Sequence, residues 1–216
     1  MTTQTVTTPT VYQGQFGEFT ITESDRQGVI IYRAGLMVAA VSFTIGSILA
    51  LFHPNQTAIQ AITLCYTCFS LALGVSLLTI HIYMVLLHRI LQAFWLIGTI
   101  SALIFAHFDN QPFAVTIYNQ PLTILGVGFT FAALTGIYFK EAFCFHRLET
   151  KILTPIVPLL LLGHLFGILP IPIEQVLLVA WTILFLVFAM RKAIQAIPPD
   201  IGDKSVFAYL KTKHQA

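Results

Sequence analysis

Charge is scarce in this chain. Of 216 residues only 11 are Lys or Arg and 9 are Asp or Glu, together 9%, where a soluble domain carries about a quarter. A net charge of +2 is too small to imply a nucleic-acid partner. Cysteine is scarce too. Cys65, Cys68 and Cys144 are odd in number, which excludes a disulfide framework. Cys65 and Cys68 form a CxxC, but inside an apolar run, so they read as two core thiols. The Thr-rich first ten residues hold no basic residue and no apolar stretch, so neither a cleavable signal nor an Arg-rich transit peptide is expected. Catalytic and metal signatures are missing: there is no HExxH, no pair of histidines three or four apart, and no GxSxG.

What fills the space is apolar. Hydrophobic residues make up 56% of the chain, with 18 Phe, and they fall in runs of about twenty, the length of a helix that crosses a bilayer. The fold class expected is therefore all-α, a polytopic membrane protein with six transmembrane helices. A polar segment over 1–22, disordered at its start, contains "EFTIT", whose alternation suggests a short extended piece. Thr22 and Asp25 resemble a capping pair, placing a helix start near Glu23. The transmembrane domain, 23–192, has spans at about 29–52, 58–80, 90–107, 122–139, 155–169 and 175–190. The turn between the second and third is placed near "HIYMVLLHR". "KEAFCFHRLETK" reads as a polar connection, and Thr154-Pro155 as an N-cap with proline at the first helical position. Residues 193–216 form a tail, in which Pro198-Pro199 should enforce an extended exit. Asp203 would cap a short helix with Val206, Phe207, Tyr209 and Leu210 on its apolar face.

The basic residues support this map. Arg26, Arg33, Arg89, Lys140, Arg147, Lys151, Arg191, Lys192, Lys204, Lys211 and Lys213 all fall on one side of a six-span chain. Excess Lys and Arg mark the cytoplasmic side, so both termini are expected there.

Chemistry is harder to find. Carboxylates at mid-membrane depth usually mark function, but Asp109, Glu174, Glu141 and Glu149 all map to span ends. Glu141 with Lys140 and Arg147 reads as an interfacial charge cluster. His81 and His88 would share a helical face, yet lack a third ligand. His164 is the candidate cofactor-binding residue. It lies near the middle of its short expected span, beside Gly163 and Gly167, whose small-xxx-small spacing admits a close helix. It would bond to a neighbouring helix or, in the sharper reading, ligate a pigment or haem metal. Which cofactor, if any, is left open. No catalytic residue and no metal site is assigned, and the chain is not expected to be an enzyme.

The stretches "FAALTGIYFKEAFCFHRLETKILTPIVPLLLLGHL", "FAMRKAIQAIPPDIGDKSVFAYL" and "YQGQFGEFTITESDRQGVIIYRAG" resemble a family of integral membrane proteins of cyanobacteria and chloroplasts, catalogued as a domain of unknown function. The resemblance runs from about residue 12 to 212. It implies a thylakoid membrane and an auxiliary or assembly role, with photosystem II intermediates as partners beside the lipid bilayer. The alternatives are a small-solute or ion transporter or channel, and a pigment-binding membrane protein.

Overall fold

A computed structural model describes residues 10–53, 55–82, 84–108, 111–207 and 209. A β-hairpin opens the chain: β1 (Val11–Gly14) pairs antiparallel with β2 (Gly17–Thr20), Tyr12 opposite Phe19. The alternation in "EFTIT" thus has a partner strand, which the sequence reading left out. The expected disorder at residues 1–9 lies outside the described residues. Six long apolar helices follow: α1 (Glu23–Phe52), α2 (Gln56–Thr79), α3 (Val85–Phe108), α5 (Ile124–Phe145), α6 (Leu148–Leu165) and α7 (Ile171–Ala193). A short helix, α4 (Phe113–Asn119), and a 3-10 turn, Pro121–Thr123, lie between α3 and α5; α8 (Pro198–Ile201) lies in the tail.

The helix starts have local causes. At α1 the Thr22 hydroxyl accepts from the Asp25 amide at 3.2 Å while the Asp25 carboxylate accepts from the Thr22 amide at 2.8 Å. This reciprocal pair satisfies two orphan donors. Asn55 starts α2 by accepting from the Ala58 amide. The α2–α3 turn is tighter than expected, residues 80–84. His88 and Gln92 on α3 both reach the Leu77 carbonyl near the end of α2.

The fifth span departs most from expectation. It begins at Leu148 rather than Pro155, so Pro155 and Pro158 lie inside α6. The connection to α5 is only His146 and Arg147, with His146 in the left-handed region at φ 51°. "KEAFCFHRLETK" is therefore mostly helix. Thr154 does not cap; its hydroxyl donates back to the Thr150 carbonyl at 2.7 Å. Neighbouring helices allow a transmembrane helix to carry prolines. At its other end, Gly167 sits at φ 63°. Its amide donates to the His164 carbonyl, and the Ile168 amide donates to the Gly163 carbonyl, the bonding of a Schellman terminus. A Cβ on Gly163 would lie 2.3 Å from Leu169. These two glycines end a helix and let the chain fold back on it; they do not form a helix-packing face.

The six helices pack as a ring. α1 lies against α2 and α7, α7 against α6, α6 against α5, α5 against α3, and α3 against α2. With no hydrophobic drive between helices in lipid, close van der Waals contact does the work. Gly35 on α1 meets α2 so closely that a Cβ would lie 2.8 Å from the Ala72 carbonyl oxygen. On α3, a Cβ at Gly98 would lie 2.3 Å from the Thr130 amide nitrogen. The ring is filled at its centre by aromatic side chains. Phe43 and Phe131 have ring centroids 4.6 and 5.2 Å from Trp181, and Phe69 and Phe185 pack around them. Cys65 is half-buried and Cys68 is exposed, so Cys68 faces outward and is not a core thiol.

Gly98→Ala should therefore destabilise the fold by about 1–3 kcal/mol through overpacking. Gly28→Ala, whose Cβ would make an ordinary 3.5 Å contact with His81, should leave it nearly unchanged. Thermal unfolding in one detergent measures both.

Candidate functional site

Polar side chains gather at the two ends of the ring. At the charged end, α7 delivers Lys192, fully buried, between two carboxylates. Its Nζ donates to Glu141 Oε2 of α5 at 2.6 Å and to Asp200 Oδ1 of α8 at 2.5 Å. Asp200 in turn accepts from the Arg33 guanidinium of α1 at 2.6 and 2.8 Å, and Glu141 accepts from Lys140 at 2.9 Å. Arg33 also donates to the Gln195 and Ala196 carbonyls, just past the end of α7. Such groups at a helix C-terminus are left without intrahelical partners, and a cation there is favoured. Phe145 lies under the Lys192 ammonium, 4.2 Å from it to the ring centroid.

Three cations and two carboxylates from four helices thus form one network. The sequence reading placed Glu141 with Lys140 and Arg147 at an interface. The Lys140 contact exists, but Glu141 is wholly buried and its second partner is Lys192. Arg147 does not pair with Glu141; it donates to Gln195, whose side-chain amide donates to Asp200 at 3.3 Å, and sits 3.7 Å from Glu149, which Arg191 also reaches at 2.8 Å. Arg33, counted from sequence only among the one-sided basic residues, sits inside α1 and is buried.

The tail folds back onto the same end. Pro198-Pro199 opens the helical turn α8 rather than an extended exit, because proline is tolerated where a helix's first amides lack acceptors anyway. Beyond it, the Asp203 carboxylate accepts from the Gln15 amide at 2.6 Å and from the Ser205 amide and hydroxyl. Phe16 donates its amide to the Ser205 hydroxyl, its ring stacks on Tyr209 at 4.1 Å, and Lys204 pairs with Asp25. The expected apolar face meets the chain's own hairpin through Tyr209; Leu210 lies outside the described residues.

At the opposite end stands His164. It is in the last turn of α6, not mid-span, because the helix ends at Leu165, before the Gly167 turn, and not at residue 169. Its Nδ1 faces Glu174 Oε1 of α7 at 2.7 Å and its Nε2 faces the Tyr118 carbonyl of α4 at 3.0 Å. Both partners of the imidazole are oxygens that can accept a hydrogen bond, and the His164–Glu174 contact joins the end of α6 to α7. It borders a cavity of about 610 Å³ whose walls include Tyr66, Phe113, Phe131, Leu160 and Leu178. With both nitrogens engaged, His164 has no free lone pair for a metal. His81 and His88 do not converge: His81 faces Gly28, and His88 bonds to Leu77. Among the described residues no group of three His, Cys, Asp or Glu could hold a metal ion.

A family model described as "Uncharacterized integral membrane protein (DUF2301)" matches residues 75–209, more than half of the chain. The chain belongs to this family. No curated protein and no solved structure matches it significantly. The DUF2301 match takes in Glu141, Lys192 and Asp200 at one end and Tyr118, His164 and Glu174 at the other. It leaves out the hairpin, all of α1 with Arg33, and most of α2. Both polar ends therefore have their centres within the DUF2301 region.

The charged end gives two expectations. Asp200→Asn removes one partner of a buried charge network and should cost about 3–5 kcal/mol, read as unfolding of the detergent-solubilised chain. Separately, the hydrogen bonds from Ser205 and Gln15 hold the Asp203 carboxyl below its usual value of 3.8. A lowered value means that its contribution is full above 3.8 and fades as pH falls through the depressed value. Hydrogen exchange at the Gln15 and Phe16 amides should accelerate below that pH, beyond the intrinsic rate change, and Asp203→Asn should abolish the extra dependence.

Proposed function

We propose that this DUF2301 protein is a non-enzymatic auxiliary of a photosynthetic membrane that binds subunits of a membrane complex during its assembly. The observation that carries the reading is the filling of the ring from its centre to its charged end. From the aromatic centre around Trp181 to the ion pairs around Lys192, buried side chains contact one another. A transporter places its site near the midplane, commonly on interrupted helices; the centre here is occupied by Phe43, Phe131 and Trp181. A pigment ligated through His164 would need a ring nitrogen that is not already turned to an oxygen of the chain.

The thylakoid setting and photosystem II intermediates as the partner rest on the resemblance over residues 12–212. The cytoplasmic placement of both termini rests on the one-sided Lys and Arg. The tail enters differently than its sequence suggested. It is bound to α1 and the hairpin, so a partner meets the assembled charged end and not a free segment.

Purification of the tagged full chain from its native membrane in mild detergent, with mass spectrometry of what accompanies it, tests this. Photosystem II subunits in near-equal amount are expected. A chain that elutes alone, or only with itself, contradicts the proposal.

A further inference from the structure

The cavity beside His164 has a chemistry of its own, independent of any assembly role. Its volume of about 610 Å³ lies within the range of small-molecule sites, about 300–1,000 Å³. An apolar space gives water too few polar partners to hold it well. The polar groups are collected at one end. His164 is in the last turn of α6, Glu174 and Gln175 are in the first turns of α7, and Asn119 closes α4. One turn deeper, α6 and α7 present Leu160 and Leu178, and α5 adds Phe131. Tyr118 and Ile171, on the rim, are 50% and 58% exposed, so the space has an open mouth at the membrane's edge.

Charge decides what the polar end can accept. No Lys or Arg lines the cavity, and the histidine on its wall is already turned to the Glu174 carboxyl. An anionic headgroup brought in there would be desolvated without a free counter-charge, which is costly. Glu174 Oε1 is turned to His164, while Oε2 takes no part in that bond and is suited to accept from a hydroxyl.

We propose that this cavity binds one neutral, single-headed lipid alcohol, its hydroxyl on Glu174 and its hydrocarbon chain running inward along Leu160 and Leu178 toward Phe131. The imidazole fixes the carboxylate's orientation by holding its other oxygen. A lipid with a phosphate or carboxylate head is disfavoured by the same geometry.

Native mass spectrometry of the full chain in an uncharged detergent at pH 7, titrated with cetyl alcohol or palmitate, tests this. A one-to-one adduct with the alcohol is expected, at least about tenfold tighter than with the acid. Ala114→Trp, which places a large side chain on the cavity wall, should abolish the adduct. Glu174→Gln, which keeps an acceptor for His164, should weaken it about tenfold and decides alone if the tryptophan variant does not fold. Absence of an alcohol adduct, equal binding of acid and alcohol, an adduct retained in a folded Ala114→Trp, or unchanged affinity in Glu174→Gln would each overturn it. Copurification with photosystem subunits is unaffected by any of these outcomes.

Discussion

A lysine ammonium with no access to water holds one end of this molecule together. Lys192 can stay charged there only because Glu141 and Asp200 both face it, and Asp200 can do so only because Arg33 holds it from α1. Removing any one of these leaves a charge buried without its partner. Because the four residues come from α1, α5, α7 and α8, this electrostatic requirement fixes three transmembrane helices and the start of the tail relative to one another. The hairpin and the rest of the tail then have a fixed base to close over.

The two ends of the ring are built on opposite rules. At the charged end, full charges are numerous, buried and mutually bound, and the space between helices is filled. At the other, the single His164–Glu174 pair sits beside an open apolar cavity. The aromatic cluster of Phe43, Phe69, Phe131, Trp181 and Phe185 separates them. That division suits a protein that presents a rigid surface on one side of the membrane and accommodates a molecule on the other. It suits passage of a solute poorly.

Six spans were legible in the sequence because an apolar run of about twenty residues has few other uses. The Thr22–Asp25 cap was legible because its signal is local. Pro155 looked like a helix start because first-turn proline is the commoner case in water, whereas α6 is long and enclosed enough to carry it inside. Gly163 and Gly167 looked like a packing face because their spacing says nothing about φ, which at Gly167 is positive. His164 moved from mid-span to span end because the Gly167 turn stops the helix at Leu165. Arg33 and Asp200 could not be paired from sequence at a separation of 167 residues. The signals that could have found them were an arginine inside the apolar run "VIIYRAGL" and an aspartate straight after Pro198-Pro199, each needing a partner.

The charge network is the part of this account on which the most depends, and a double-mutant cycle measures it directly. Lys192→Met and Glu141→Leu, alone and combined, would be compared by unfolding in a single detergent. Residues bound in one network show interaction energies of about 0.5–3 kcal/mol, so the double variant should be less damaged than the sum of the single ones. Additive losses would mean that Lys192 and Glu141 do not depend on each other, and would contradict a charge network that holds this end together.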